Sequence, residues 1–173
     1  MVRQSTGTLG RARAVARLRA VQALYQHALA GTPPARLLAE FHAYRLPGSP
    51  KDRAEDDEGP LAEADEALFD DLVNGAIARA DELDAYVRAR LTAGWALERL
   101  PLVLRALLRA AAYELVARPD VPAGVVAKEY ADIAAAFHPP QVDGDGRPRP
   151  APEVGFVNAL VDRLARELRE PST

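Results

Sequence analysis

The sequence contains no cysteine, which excludes disulfide bonds, thiolate metal sites and cysteine nucleophiles. No apolar run reaches the roughly 18 residues that a membrane-spanning helix needs. The N-terminus carries arginine but lacks the apolar core of a secretory signal. We therefore expect a protein outside the membrane, most simply a cytoplasmic one. Alternating, β-branched segments are also scarce, so few or no strands are expected.

Patterns that would support catalysis are missing as well. The histidines His27, His42 and His138 are isolated, with no second ligand at metal-binding spacing and no nucleophile beside them. Glu129 and Asp132 lie three residues apart, a spacing more typical of a solvated helix face. No glycine-rich phosphate loop follows a strand. We expect no catalytic residue, no metal site and no cofactor, and therefore no enzyme.

Helix-forming residues are abundant instead. The chain has 173 residues, of which 49% are hydrophobic and 27% charged, so it can bury a core as one domain over residues 1–173. Apolar residues recur at the helical period and predict a compact all-α fold of six or seven helices. Helices are expected over residues 9–30, 33–44, 65–91 (as one helix or two), 101–117, 122–137 and 154–170. Residues 1–8 are expected as a flexible arm, and 47–64 and 138–152 as mobile loops.

The net charge of −3 conceals an uneven distribution. Residues 51–71 hold ten acidic residues, whereas residues 1–39 hold none. The N-terminal stretch carries six arginines, namely Arg3, Arg11, Arg13, Arg17, Arg19 and Arg36. An acid-free arginine block at one end of an acidic protein favours a polyanionic partner such as RNA or DNA. A solvated, frayed terminus is the alternative interpretation.

The first helix places polar residues on both sides of an apolar stripe. The stripe comprises Leu18, Val21, Tyr25, Ala28 and Leu29. Arg13 and Arg17 share one flank, and Arg19 and Gln22 share the other with Gln26. Guanidinium groups bind phosphate in a bidentate manner. Gln22 can read a base edge, and Tyr25 can stack on an unpaired base. The alternative is that Gln22 and Tyr25 are ordinary boundary residues.

Four segments together resemble one known family. They read ARLRAVQALYQ at 16–26, LFDDLVNG at 68–75, LERLPLVLRALLRAAAYELVARPDVPAGVVAKEYADIAAAF at 97–137 and GFVNALVDRLARELR at 155–169. In this order they resemble the NusB family of transcription antitermination factors. The resemblance covers most of the chain.

The resemblance implies an all-helical fold of two small helical bundles. It also implies binding to a boxA sequence in leader or ribosomal RNA, together with the small-subunit ribosomal protein also called NusE. That complex would join RNA polymerase through other Nus factors and promote read-through of terminators. The state of the free protein, monomer or homodimer, stays open.

The resemblance also nominates residues. It places Arg13, Arg17, Gln22, Tyr25, Phe156 and Asn158 in the RNA interface, and the charge pattern adds Arg11 and Arg19. Core packing is the alternative role for Phe156, and a cap within the helix is the alternative for Asn158. Glu98 and Arg105 are expected on the surface that faces NusE.

The chain departs from the family pattern at several positions. Ala14 and Val15 interrupt the usual run of basic residues, which would shift the RNA footprint. Ala127-Lys128 replaces the usual Ile-Asn, and Ala159 replaces a glycine. Segments 47–64 and 138–152 are longer than is typical. The second precedes Phe156 and would therefore cover or extend the RNA surface.

Two other functions compete with antitermination. One is a helical scaffold that binds only protein, in which the arginines face solvent or an acidic partner. The other is the RNA-binding head of an RNA cytosine methyltransferase, which has this fold. That enzyme needs a second domain with a catalytic cysteine, and the present chain has neither cysteine nor a strand–glycine–helix signature.

Overall fold

The computed structural model describes residues 3–46 and 63–169. Over these ranges it is an all-α protein, as the sequence predicted. The elements are α1 (Arg3–Ala30), α2 (Pro34–Tyr44), α3 (Glu66–Ala78), α4 (Ala80–Arg88), a 3₁₀ turn (Leu97–Arg99), α5 (Leu102–Ala117), α6 (Ala123–Phe137), β1 (Gln141–Val142), β2 (Pro148–Arg149) and α7 (Pro152–Arg169). No helix in these ranges is long and apolar enough to cross a bilayer.

The chain divides into two compact units, Met1–Ile77 and Ala78–Thr173. The first unit contains α1, α2 and nearly all of α3. Its core includes the stacked rings of Phe41 and Phe69, whose centroids lie 5.5 Å apart. The second unit contains α4 to α7 and the two short strands. Most of the expected loop 47–64 lies outside the described residues.

Helix α1 differs from its prediction in two ways. It begins at Arg3, so residues 3–8 of the expected arm are helical. Its buried face is also displaced, because Tyr25 and Leu29 of the predicted stripe are 37% and 62% exposed. The buried apolar residues are Ala16, Ala20, Val21, Ala23 and Leu24. Small alanines let neighbouring elements approach the helix closely, so this face is buried although it carries little apolar volume.

Helix α5 is the core of the second unit, as its apolar pattern predicted. The five expected inward residues, Leu104, Leu107, Leu108, Ala111 and Leu115, are all buried. Helices α4, α6 and α7 surround it. Arg169, at the end of α7, donates hydrogen bonds to the carbonyl groups of Glu114, Leu115, Arg118 and Val121. It therefore ties the end of α7 to the last turn of α5 and to the turn that follows it.

Helix boundaries follow local chemistry. The 65–91 stretch is two helices, since Arg79 leaves the helical conformation at φ −108° and ψ 21° between α3 and α4. Pro101 and Pro122 each precede a helix with φ near −55° and an extended ψ. Both prolines occupy the position just before the first helical residue, where a missing N–H costs no intrahelical hydrogen bond.

The expected loop 138–152 contains a small hairpin. Strands β1 and β2 pair antiparallel, with Gln141 opposite Arg149. The Oδ1 atom of Asp143 accepts hydrogen bonds from the backbone N–H groups of Asp145 and Arg147 at 3.0 and 2.9 Å. Its Oδ2 atom accepts one from Nε of Arg149 at 3.0 Å. Gly146 supplies the positive φ, 75°, that the turn requires. Helix α7 then begins at Pro152, two residues earlier than expected.

Candidate nucleic-acid interface

The four candidate arginines of α1 differ in exposure. Arg11 is exposed and Arg13 is half-buried. Arg17 and Arg19 are only 2% and 8% exposed. The helical period explains the burial of Arg17, because residues three, four and seven positions further on belong to the buried face. Among these four, Arg11 and Arg13 are therefore the more accessible to a phosphate.

Gln22 and Tyr25 lie on the more open edge of α1. Nη1 of Arg19 donates a hydrogen bond of 2.9 Å to Oε1 of Gln22, so the two residues that were predicted to share a flank do so. This contact uses the amide oxygen of Gln22, whose NH₂ group can donate to another acceptor. Tyr25 is 37% exposed, and Leu29 continues the same edge one turn later.

Phe156 and Asn158 lie in the first turns of α7, on either side of the buried Val157. Asn158 is exposed and Phe156 is half-buried. The ring of Phe156 stacks on the indole of Trp95, with centroids 5.5 Å apart and planes 28° apart. Phe156 is therefore packed against an exposed ring and not enclosed in the core. The sequence placed Trp95 in a connector and gave it no role, because a contact between residues so distant in the chain has no local signal.

The eight candidate RNA-binding residues divide between the two units. Arg11, Arg13, Arg17, Arg19, Gln22 and Tyr25 belong to the first unit, and Phe156 and Asn158 belong to the second. Within the first unit, Arg19 contacts Gln22 directly. Each unit thus carries its own polar and aromatic surface.

The two residues expected to face NusE lie near each other. Glu98 is in the 3₁₀ turn before α5, and Arg105 is in the first turn of α5. Glu98 is exposed and accepts hydrogen bonds from Nε and Nη2 of Arg88 at 3.0 and 2.6 Å. The bonds from Arg88 lower the pKa of Glu98, and the positive charge of Arg105 contributes a smaller lowering. Arg105 itself is half-buried on α5. Together the three residues form a charged surface on the second unit.

The histidines make local contacts. Nδ1 of His27 lies 2.7 Å from the carbonyl oxygen of Thr32, and Nδ1 of His138 lies 3.0 Å from that of Ala134. Nε2 of His42 lies 2.6 Å from Oδ1 of Asp70. Across residues 3–46 and 63–169, no group of three metal-ligating side chains is close enough to hold an ion.

Comparison with known proteins decides the family. A sequence model of the NusB family matches residues 14–166. The chain belongs to the NusB family. Among its relatives, the transcription antitermination protein NusB of Sphingopyxis alaskensis is 48% identical, over 91% of this chain and 95% of that protein. The protein of the same name from Novosphingobium aromaticivorans is 47% identical, over 92% and 97%.

Solved NusB structures have the same fold. T. maritima NusB matches with a TM-score of 0.65 at 26% identity, covering 90% of this chain and 91% of that one. The solution structure of NusB from Aquifex aeolicus matches with a TM-score of 0.62, covering 94% and 95%. A further match, at a TM-score of 0.61 and 22% identity over 91% and 98%, is a structure of the antitermination factors NusB and NusE in complex with double-stranded RNA. The all-α NusB fold is therefore confirmed.

The NusB match begins just after two of the candidate arginines. Arg11 and Arg13 precede residue 14, where the family model starts. Arg17, Gln22, Tyr25, Phe156 and Asn158 lie inside the matched range. The two more exposed of the four candidate arginines thus lie just outside the range that the family model matches.

Proposed function

We propose that this NusB-family chain acts as a transcription antitermination factor, which binds boxA-type leader or ribosomal RNA together with NusE. Acting through other Nus factors, the complex would promote read-through by RNA polymerase. One observation carries the proposal: relatives between 41% and 48% identical, over more than nine-tenths of the chain, are named transcription antitermination proteins. The function requires binding and no bond chemistry, and it takes place where RNA is transcribed, in the bacterial cytoplasm.

In the first unit, the proposed phosphate contacts come from Arg11 and Arg13. Each guanidinium that neutralises a phosphate releases condensed counterions, which makes binding dependent on salt. Arg17 and Arg19 are too buried for a broad contact with the RNA backbone. Their proposed contribution is to hold α1 and its polar edge in place, and to add positive charge behind that edge.

Selectivity for a base sequence needs contacts to bases as well as to phosphates. The NH₂ group of Gln22 can donate to a base acceptor, since Arg19 already occupies the amide oxygen. The exposed part of Tyr25 offers a ring for stacking. In the second unit, Phe156 and Asn158 supply a second ring and a second amide. These four residues are the proposed base-reading set.

The proposed protein partner is NusE. A structure with this fold contains NusB, NusE and RNA in one complex. Glu98 and Arg105 are the proposed contacts, because an exposed carboxylate and a guanidinium nearby can pair with opposite charges on a partner. The Arg88–Glu98 pair holds the Glu98 carboxylate in one orientation before the partner arrives.

The test is a mobility-shift assay with boxA RNA and a shuffled RNA of equal length, each with and without purified NusE. We expect boxA to bind more tightly than the shuffled RNA, and NusE to strengthen that preference. Sedimentation of the free protein in the same buffer distinguishes a monomer from a homodimer. Equal affinity for the two RNAs, or no binding with NusE present, would overturn the proposal. A protein that binds NusE but no RNA would instead be a scaffold.

A further inference from the structure

Trp95 is a large aromatic residue whose side chain is exposed to solvent. Its side chain is 58% exposed, although its residue type is among those that gain most from burial. It is the one tryptophan of the chain. Phe156 covers part of its ring system by stacking at 5.5 Å. The two rings form a surface that the core of the second unit does not use.

Trp95 lies in the connector between α4 and α5, residues 89–101, and this connector contacts two side chains of α7. Nη1 of Arg163 donates a hydrogen bond of 2.8 Å to the carbonyl oxygen of Arg90. Nε of Arg90 forms an ion pair of 2.8 Å with Glu167. Two residues beyond Trp95, Leu97 is only 1% exposed and anchors the other end of the connector. The connector is therefore anchored at both ends, and the stack on Phe156 orients the indole, which lowers the entropy cost of binding a ligand.

The charges around this pair favour a polyanion over an apolar protein surface. Two acidic groups of the region are paired, Glu98 with Arg88 and Glu167 with Arg90. Arg163 is exposed, and its hydrogen bond to a carbonyl oxygen leaves its positive charge unneutralised. Arg163 lies two helical turns beyond Phe156 on the same helix. Aromatic rings together with a guanidinium are the combination that single-stranded nucleic acid binds, with bases stacked and phosphates paired.

We propose that Trp95 and Phe156 form a stacking platform for an unpaired base of the bound RNA, with Trp95 as the ring that the base contacts. The proposal rests on the RNA-binding function proposed above and adds to it a residue that the sequence did not nominate. Arg163 contacts the phosphate that follows the stacked base. Since every base has a flat face, this contact contributes affinity with little preference for sequence.

The unmodified protein provides the first test, because a single tryptophan reports on one place only. Emission excited at a wavelength that tyrosine does not absorb is recorded while boxA RNA is added. We expect quenching that saturates at the same RNA concentration as the mobility shift. An RNA of equal length with abasic sites in boxA should bind more weakly and leave the emission unchanged.

Variants provide the second test. We expect Trp95→Ala to weaken RNA binding about tenfold, the loss of one stacked base. Trp95→Phe should stay within about threefold, because a ring remains. Val125→Ala is the matched control, since Val125 is an exposed apolar residue of the same unit on α6, and it should change nothing.

The outcomes separate the two proposals. Tight RNA binding with neither quenching nor a loss in Trp95→Ala would overturn the platform and leave the proposed function intact. Absence of binding to any RNA would overturn the function and the platform together. Quenching by NusE alone, with no further change on adding RNA, would make the aromatic pair a protein contact and would also overturn the platform.

Discussion

The hydroxyl group of Tyr130 on α6 donates a hydrogen bond of 2.9 Å to Oε2 of Glu114 on α5, and both residues are 0% exposed. Glu114 and Tyr130 belong to the AAYEL and EY segments on which the resemblance to the NusB family partly depended. Those motif positions are therefore structural, since they join two helices of the second unit through a buried carboxylate. The motif identifies the fold and does not mark the RNA surface.

Removing the Tyr130 hydroxyl tests this structural role. Tyr130→Phe takes away a donor from a buried carboxylate, and such a loss costs about 1–3 kcal/mol. We expect the urea midpoint to fall by the corresponding amount with an unchanged slope. Tyr44→Phe is the control, because Tyr44 is 80% exposed and should change stability by less than about 0.5 kcal/mol. Equal stability of the two variants would contradict the role assigned to the hydrogen bond.

The ion pair between Arg109 on α5 and Asp84 on α4 gives a second prediction. Nε and Nη2 of Arg109 donate to Oδ1 and Oδ2 of Asp84 at 2.9 and 2.7 Å, with side-chain exposures of 16% and 11%. Arg109→Met leaves a buried carboxylate without this partner and should cost about 3 kcal/mol.

The double variant Arg109→Met with Asp84→Leu should lose less free energy of unfolding than the two single variants lose together. Neither side chain is then left as a buried charge without its partner. Chemical denaturation of the four proteins gives the coupling energy. Additive losses would mean that the two side chains do not stabilise each other.

Helices with strong apolar patterns were predictable from sequence. All five expected inward residues of α5 are buried, because leucines at helical spacing form one apolar face that packs against the core. The stretch 65–91 is helical as expected, and of the two alternatives left open, one helix or two, the structure has two. The family segments added the fold of the whole chain, which local patterns alone do not specify.

The candidate site was less predictable, because it depends on contacts between distant residues. In α1, the apolar pattern put Tyr25 in the stripe and Arg17 on a polar flank. In the structure Tyr25 is exposed and Arg17 is buried, because the buried face of the helix is formed largely by alanines. The hairpin at 141–149 depends on a single carboxylate accepting three hydrogen bonds. The Trp95–Phe156 stack joins a connector to a helix with no periodicity to reveal it.

The hairpin gives a prediction about pH. Hydrogen bonds from the backbone N–H of Arg147 and the side chain of Arg149 lower the pKa of Asp143. A folded pKa below the ordinary value of about 3.9 means that the ionised group stabilises the hairpin above that pH. The stabilisation is lost as the pH falls through the lower, folded pKa.

We therefore expect the carboxyl resonance of Asp143 to titrate below the ordinary aspartate range in an NMR experiment. The amide proton of Arg147 should lose its protection from exchange over the same pH interval. In Asp143→Ala, which removes the acceptor, the amide should lack this protection at every pH, with no acid transition. An ordinary midpoint for Asp143 would show that its hydrogen bonds do not persist in solution.

Arg13 and Arg17 provide the last prediction, because they lie one helical turn apart and differ in exposure. Arg13 is half-buried and Arg17 is 2% exposed. If Arg13 neutralises a phosphate, Arg13→Ala should reduce the slope of log affinity against log salt by about one unit, with little change in folding stability. Arg17→Ala should leave that slope nearly unchanged and lower the free energy of unfolding by about 1–3 kcal/mol, since it removes a buried side chain.

Arg36→Ala, which replaces an exposed arginine on α2, is the control and should change neither quantity. RNA titrations at several salt concentrations, paired with urea denaturation of the same samples, separate the two effects. A unit loss of slope in Arg17→Ala with full stability would place the phosphate contact at Arg17 instead.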